Sequence, residues 1–302
     1  MTRSTMSIVL RPYRDEADHP TIAALDHLMG LGILNYCNPS QDMVFADVDD
    51  QTVGYGRVWL NERDDEHRYF LEVSLRDFNA SDLEQRLLDW LQMRIGVMRQ
   101  IHSRQAICSI KLFVPDGRKS LIELVTTAGF EIERTDLTMT RTLSDSISNC
   151  ILPLDIELRP VVRQLGNQLA EGMAEAFGHQ TSSGTEMDEE AFEQWLSGMP
   201  ANAMDSFAAC SIDTAEVVSA AFYHVDRKSE RAWLAQIFTR IAWQRRGLAS
   251  ALITHSLRAF RAQGLREACI EVNDFNTKAI RVYEKLGFSV SSRVYMYSKA
   301  CE

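Results

Sequence analysis

Two segments of the sequence begin with the same pattern. Ile8–Pro12 and Ile156–Pro160 each read as a short strand that ends at an Arg-Pro pair, because proline removes a donor from the sheet, and a helix-like stretch follows each. Both segments also close alike, with a helix that ends at Gly129 or Gly287 before an alternating strand. The chain is therefore predicted to contain two copies of one folding unit.

This repeat predicts how the chain is divided. A connector is expected at residues 144–154, where Ser, Asp, Asn and Pro accumulate, which leaves a first domain over residues 1–143 and a second over residues 155–302. Strands alternate with helices in both copies, which predicts the α/β class with two tandem domains, each a central mixed β-sheet flanked by helices. One continuous large domain is the alternative. In the second copy the expected elements are hairpin strands at Phe207–Ile212 and Val217–Val225, a middle strand at Ala232–Thr239, a long helix at Gly247–Gln263 and a strand at Ala268–Val272.

The composition is that of an ordinary globular protein. A net charge of −10 disfavours sequence-independent binding to nucleic acid and would tolerate a cationic substrate. No apolar run is long enough to cross a membrane and the N-terminus does not resemble a signal peptide, so a cytoplasmic protein is expected. Scattered cysteines without a CxxC pair predict a reducing compartment, with neither a disulfide framework nor a metal site. These cysteines are Cys37, Cys108, Cys150, Cys210, Cys269 and Cys301, of which Cys269 lies in an apolar run.

A basic turn runs directly into the long helix of the second copy. Gln244, Arg245, Arg246 and Gly247 form this turn. The first turn of a helix leaves backbone N–H groups without partners, and the helix dipole adds partial positive charge there. Gly247 and Ala249 are small enough for a phosphate to approach those groups, and the two arginines would add mobile positive charge at the rim. The pattern indicates a pyrophosphate site, although many helices begin in this way for structural reasons alone.

A second block of residues follows the next strand. Asn276, Ala279 and Tyr283 are spaced to lie on one face of a helix, and a Gly-Phe pair closes that helix. In this order, residues 244–249 and 276–288 resemble the pyrophosphate loop and the second motif of the GNAT superfamily of N-acetyltransferases. The resemblance covers about 75 residues closely and the rest of the second copy loosely.

The resemblance implies an N-acetyltransferase that uses acetyl-CoA, or a related acyl-CoA, and no metal. The pantetheine arm would extend along the middle strand, the pyrophosphate would rest on the amides of residues 245–250, and Asn276 would hydrogen-bond the arm. An amine would attack the thioester directly. The residues that the resemblance assigns to cofactor binding are Ile237, Phe238, Thr239, Gln244, Arg245, Arg246, Gly247, Leu248, Ala249, Ser250, Asn276, Ala279 and Tyr283.

Tyr283 is the catalytic residue that the motif position favours. Its hydroxyl would protonate the departing thiolate, and backbone N–H groups near Ile237 would stabilise the oxyanion. The general base stays open, because the middle strand carries no carboxylate. Glu271 on the following strand is a weak candidate, and a water chain would also serve. The remaining candidates, each with a structural explanation as well, are His224, Glu186 and Glu189.

The first copy lacks the features of the cofactor loop. Aligning the middle strands places Ser81–Glu84 opposite Gln244–Gly247, so that Glu84 stands at the glycine position. Carboxylates there would repel a pyrophosphate, and the Ser-x-x-Glu pattern instead indicates a capping box at a helix start. Val125 stands where the family has its tyrosine. The first copy is therefore predicted to be non-catalytic, to pack against the active copy and to help wall the acceptor site.

The expected partner is the amine of a small molecule or a peptide, with no nucleic acid and no membrane. A monomer and a homodimer are both compatible with the sequence. The acceptor wall is expected around a polar loop at residues 177–185 and a helix at residues 188–196, which carries Phe192 and Trp195. Two other functions fit the same motifs. One is a non-catalytic acyl-CoA-binding or scaffold protein, which the missing carboxylate favours; the other is an acyltransferase that uses a different acyl-CoA.

Overall fold

The computed structural model describes residues 7–25, 37–63, 66–76, 81–101, 107–147, 149–177 and 206–301. The chain divides into unit 1, which comprises Met1–Asp136 and Arg293–Glu302, and unit 2, which comprises Leu137–Ser292. The end of the chain therefore belongs with the first copy. The expected division at residues 143 and 155 differs from this one, because the two closing strands have the same pattern and periodicity does not show which sheet each strand joins.

Unit 1 is a mixed sheet with helices packed on it. Its elements are β1 (Ile8–Pro12), α1 (His19–Leu25), α2 (Pro39–Asp42), β2 (Met43–Val48), β3 (Gln51–Arg63), β4 (Glu66–Leu75), α3 (Ser81–Ile101), β5 (Ile107–Pro115), α4 (Lys119–Thr127), the first part of β6 (Glu131–Thr142) and most of β12 (Ser289–Ala300). The strand order is β1, β2, β3, β4, β5, β12. Strands β4 and β5 pair in parallel, whereas the other pairs in this series are antiparallel.

Unit 2 repeats this plan. Its elements are the second part of β6, β7 (Ile156–Pro160), α5 (Gly166–Phe177), β8 (Phe207–Ser211), β9 (Val217–Asp226), β10 (Arg231–Thr239), α6 (Leu248–Ala262), β11 (Glu267–Asn273), α7 (Thr277–Lys285) and the first residues of β12. The strand order is β6, β11, β10, β9, β8, β7. Strands β10 and β11 are parallel, and β10, β9, β8 and β7 pair antiparallel in turn. The predicted fold class, with a mixed sheet flanked by helices in each copy, is confirmed.

The sheet of unit 2 is buried on both faces. Tyr223 and Leu234 pack with Leu257 of α6 on one face, and Phe222 and Phe238 pack with residues of α5 on the other. Each apolar side chain of this size contributes about 1.5–3 kcal/mol when it is fully buried. Because β10 carries residues of both clusters, its position is fixed between α5 and α6.

Equivalent helices of the two units end at equivalent glycines. Gly129 after α4 and Gly287 after α7 have φ angles of 81° and 85°, which lie in the left-handed region that favours glycine. The residue after each glycine donates its N–H at 3.0 Å to a carbonyl in the last turn, that of Val125 or Tyr283. This is the Schellman arrangement. The predicted glycine caps are confirmed.

A disulfide joins Cys108, at the start of β5, to Cys301, directly after β12. The two residues are 193 positions apart in sequence, and their Cα atoms are 5.2 Å apart. The expectation of a chain without disulfides is wrong at this pair, because cysteine spacing does not show that β12 pairs with β5. Cys269 is a fully buried thiol, as predicted, and burial raises its pKa to about 11.

Part of the predicted acceptor region lies outside the described residues. This applies to the loop at 178–185, to the helix at 188–196 with Phe192 and Trp195, and to the candidate bases Glu186 and Glu189. Within the described ranges, none of the helices combines the length and the apolar character that crossing a bilayer requires. In the same ranges, no group of three or more His, Cys, Asp or Glu side chains is placed to hold a metal ion.

Candidate functional site

Strands β10 and β11 separate at the centre of the unit 2 sheet. Their parallel register pairs Arg231–Leu234 with Glu267–Ile270 and ends there, although both strands continue. At the same level the pairing of β10 with β9 shifts between Leu234 and Gln236, which marks a bulge. Beyond the bulge, β10 is paired with β9 alone among the described strands. The edge of β10 that faces β11 can therefore hydrogen-bond an extended ligand that carries amide groups.

The loop between β10 and α6 ends in an uncapped helix start. Gly247 has a φ of 81° and no side chain caps the helix there. Arg245 also has a positive φ, 62°, which costs about 1 kcal/mol or more for a residue other than glycine. Within the described part of the chain, the amides of residues 248–250 have no hydrogen-bond partner. Together with the dipole of α6, they have the features that an anion site requires.

Arg246 forms an ion pair with Asp155 and lies over Trp243. Its Nη2 donates to both carboxylate oxygens of Asp155 at 2.8 Å, and its guanidinium lies 4.6 Å from the ring centroid of Trp243. The hydrogen bond from Arg246 lowers the pKa of the Asp155 carboxyl, so this ion pair persists at neutral pH. The mobility expected of the two arginines stays a prediction, and the partner of Arg246 lies 91 residues earlier in the sequence.

Side chains at the end of β10 fix the start of the loop. Gln244 donates from Nε2 to the carbonyl oxygen of Thr239 at 3.2 Å. The hydroxyl of Ser219 on β9 donates to the carbonyl oxygen of Phe238 at 2.5 Å and lies 2.8 Å from the Thr239 hydroxyl. Gln244 thus has a role in closing the loop on β10.

The predicted cofactor residues on β10 can contact a ligand mainly through their backbone groups. Phe238 is buried against α5, and a Cβ added at Gly172 would lie 2.3 Å from its ring. The side chain of Ile237 packs on the opposite face, with Leu248 and Leu252 of α6. Leu248 is itself buried, so that it also offers only its amide.

Asn276 is the cap of α7. Its Oδ1 accepts a hydrogen bond from the N–H of Ala279 at 3.3 Å, which fixes the start of the helix. The side-chain NH2 group of Asn276 points away from that bond by covalent geometry and can serve a ligand. Ala279 and Tyr283 are partly buried against the cluster that includes Ile270 of β11. The predicted face of three residues is therefore placed beside β11.

Tyr283 carries a phenol whose titration is shifted by burial. Burial raises the pKa of its hydroxyl to about 12, so that the phenol keeps its proton throughout the neutral range. Its ring centroid lies 6.2 Å from that of Phe288, with 60° between the ring planes. A buried phenol that stays protonated can donate to a developing thiolate.

The two described candidates for the general base lie in different places. Glu271 is the first residue of β11 beyond the last parallel pair, and its side chain is exposed between the buried Ile270 and Val272. Glu271 therefore lies where β10 and β11 separate, a place called the split below. His224 is on β9, on the far side of β10, and its ring stacks on Trp233 at 6.4 Å. Burial lowers the pKa of His224.

In unit 1 the first turn of α3 carries an internal ion pair. The predicted alignment of Glu84 with Gly247 is wrong, because Glu84 lies inside α3 whereas Gly247 precedes α6. Glu84 in the first turn of α3 is fully buried, and Arg118 donates to its Oε1 from Nε at 2.9 Å and also from Nη2. Ser120 donates to Oε2. Both oxygens of Glu84 thus bind residues at the start of α4. The capping box with Ser81 stays a prediction, because the side chain of Ser81 lies outside the described part of the chain. Arg118 occupies the N-cap of α4 as Asn276 does that of α7, and the sequence offered no signal for this pairing.

Residues 169–288 match the family model for the acetyltransferase (GNAT) family. The matched segment contains the split, the loop and α7. An N-alpha-acetyltransferase MAK3 from Arabidopsis thaliana is 31% identical over 71 residues, which are 24% of this chain and 37% of the relative. A mycothiol acetyltransferase from Corynebacterium glutamicum is 40% identical over 58 residues, 19% of this chain and 20% of the relative. The matches thus span well under half the length of these relatives.

Solved structures share the fold along nearly the whole chain. A GCN5-related N-acetyltransferase from Sphaerobacter thermophilus has a TM-score of 0.75 at 22% identity, over 97% of this chain and 95% of that one. A tandem GNAT protein from the clavulanic acid biosynthesis pathway has a TM-score of 0.68 at 12% identity, over 98% of each chain. At these identities the likeness shows the fold alone, and it extends over both units. The sequence predicts a tandem type with an architecture similar to that of mycothiol synthase, and the tandem type agrees with the match to the tandem GNAT protein.

Proposed function

We propose that unit 2 is an acyl-CoA-dependent N-acyltransferase with acetyl-CoA as its donor, because residues 169–288 match the family model for the acetyltransferase (GNAT) family. The split between β10 and β11 is the observation that carries this proposal. An amide-containing arm fits the open edge of β10, and a pyrophosphate fits the uncapped start of α6. The names of both curated relatives denote acetyl transfer, which supports acetyl-CoA over other donors.

The proposed reaction is direct attack of a primary amine on the thioester carbon. A C–N bond forms, the amine loses a proton, and the carbonyl oxygen becomes an oxyanion that backbone N–H groups of β10 near Ile237 stabilise. The tetrahedral intermediate collapses, the C–S bond breaks and the thiolate takes a proton from Tyr283. Glu271 at the split, or a water chain, accepts the proton of the amine. The acceptor is an amine of a small molecule or a peptide.

One working site per chain is part of the proposal. The first turn of α3 in unit 1 holds the carboxylate of Glu84, whose partner Arg118 is buried with it. Separating such a pair costs about 3–5 kcal/mol, so a pyrophosphate would have to displace a stable internal contact. Val125, at the position of Tyr283, offers no hydroxyl.

The test is transfer from acetyl-CoA to a panel of small amines and peptides, followed through release of the CoA thiol. Release that depends on an amine supports the transferase. Tight binding of acetyl-CoA without release in any reaction would instead favour a non-catalytic acyl-CoA-binding protein. Competition between acetyl-CoA and other acyl-CoAs in the same assay determines the donor.

Replacing Tyr283 with phenylalanine should lower kcat by about 10²-fold and change KM for acetyl-CoA by less than about threefold, because only the proton donor is removed. A pKa of about 12 means that Tyr283 loses its proton only near that pH, so it should cause no alkaline decline of kcat between about pH 7 and 10. Steady-state kinetics across this range check both points, with Tyr295→Phe in unit 1 as the control. Full activity of Tyr283→Phe would assign the proton to another donor.

A further inference from the structure

Arg240 directly follows β10 and anchors the beginning of the cofactor loop. Its Nε donates to the carbonyl oxygen of Val217 at 2.9 Å, and its Nη2 donates to that of Gln168 in α5 at 3.3 Å. The side chain is only 13% exposed. No motif singles out this residue, because its partners lie far from it along the chain.

Three carboxylates surround the same guanidinium. Glu171 and Glu175 of α5 lie 3.2 and 3.4 Å from it, and Glu216 before β9 lies 3.4 Å from it. A planar guanidinium with five donors can bind acceptors in several directions at once, which an ammonium cannot do with the same geometry. Arg240 therefore joins α5, β9 and the end of β10 through one side chain.

Glu175 makes a second contact with the loop. Its Oε1 accepts the backbone N–H of Ile241 at 2.6 Å, while the N–H of Arg240 donates to the carbonyl oxygen of Val218 at 2.9 Å. Helix α5 is thus bonded to the side chain of Arg240 and to the backbone of the residue after it. Arg240 and Ile241, the first two residues of the loop, are therefore bonded to α5 on one side and to β9 on the other.

Arg240 is close in sequence to the proposed anion site at the start of α6. Residues 240–247 link β10 to α6, and the N–H of Trp243 donates to the carbonyl oxygen of Arg240 at 2.9 Å. The other end of the loop is held by Arg246 and Asp155. Because the loop is fixed at both ends, a displacement of Arg240 changes the backbone path that leads into Gly247. It thereby also moves the amides that follow Gly247.

We propose that Arg240 is a positioning residue that holds the cofactor loop against α5, so that the amides at the start of α6 stay aligned with the open edge of β10. This inference rests on the proposed function of unit 2. It makes affinity for the acyl-CoA donor depend on a side chain that does not touch it. Once the donor is bound at saturation, the chemistry at Tyr283 proceeds as before.

The test compares Arg240→Gln and Arg240→Lys with Arg231→Gln as the matched control. Arg231 is on the same strand, pairs with one carboxylate, Glu267, at 2.8 Å, and lies at the end away from the loop. Both Arg240 variants should raise Kd for acetyl-CoA by about tenfold or more, since small misplacements of binding groups are costly, and leave kcat at saturation within about threefold. The control should keep the wild-type Kd. Glu175→Gln, which keeps an oxygen for Ile241 and loses the charge, should have an intermediate Kd.

The outcomes separate this inference from the function on which it rests. If Arg240→Gln does not fold, Arg240→Lys carries the test, because it retains the charge. An unchanged Kd in the folded Arg240 variants overturns the inference, even if their thermal stability falls. A loss of kcat with an unchanged Kd overturns it as well. Failure of the wild-type protein to bind acetyl-CoA would contradict the proposed function instead.

Discussion

Replacing Gly247 with glutamate is expected to abolish acetyl-CoA binding while unit 2 stays folded. The new carboxylate would stand at the uncapped start of α6, where a pyrophosphate is proposed to rest. Two like charges about 4 Å apart repel by about 4 kcal/mol at an effective dielectric constant of 20, which weakens binding roughly 10³-fold. A Cβ at Gly247 meets nothing within 4 Å, so the side chain has room.

Gly264→Glu is the matched control for this variant. Gly264 lies just past the other end of α6, has a φ of 78° and also has nothing within 4 Å of an added Cβ. Both substitutions therefore place glutamate in a left-handed conformation beside the same helix, but only one places it at the proposed anion site. Calorimetric titration should show wild-type affinity for Gly264→Glu and none for Gly247→Glu. Similar affinities in the two variants would contradict the loop assignment.

Reducing the disulfide between Cys108 and Cys301 is expected to lower the free energy of unfolding by up to about 5 kcal/mol. The bond joins residues 193 positions apart, and the chain entropy that a cross-link removes from the unfolded state grows with loop length. Cys108→Ser should cause the same loss. Denaturant unfolding with and without a reductant measures the difference.

Cys150→Ser provides the control for this second prediction, because Cys150 is a thiol outside the disulfide. It should unfold as the wild type does, and the reductant should still destabilise it. The reductant should have no further effect on Cys108→Ser. A wild-type protein whose unfolding does not respond to the reductant would show that the disulfide does not contribute to its stability.

Features that depend on neighbouring residues could be predicted from the sequence. The strands that end at Arg-Pro and the helices that end at Gly129 and Gly287 are set by the conformations of proline and glycine. The order of elements in unit 2 followed from alternating patterns and turn residues. The turn from Gln244 to Gly247 was recognisable because the motif and the helix that follows it are contiguous.

Features that depend on distant partners could not be predicted in this way. Glu84 suggested a capping box, yet its carboxylate binds Arg118, 34 residues away. Arg246 suggested a positive charge at the rim of an anion site, and its pairing with Asp155 could not be foreseen. The pairing of β12 with β5, and with it the disulfide, depends on which sheet the last strand joins. Two strands with the same alternation are equivalent to a sequence pattern and differ only in tertiary contacts.

The measurement that tests the central claim most directly is calorimetric titration of the whole chain with acetyl-CoA, with the stoichiometry determined as well as the affinity. The account predicts one site per chain, located in unit 2, because the first turn of α3 in unit 1 holds the buried ion pair of Glu84 and Arg118. Two sites per chain would contradict the assignment of unit 1. The absence of any site would contradict the proposed acyl-CoA chemistry itself.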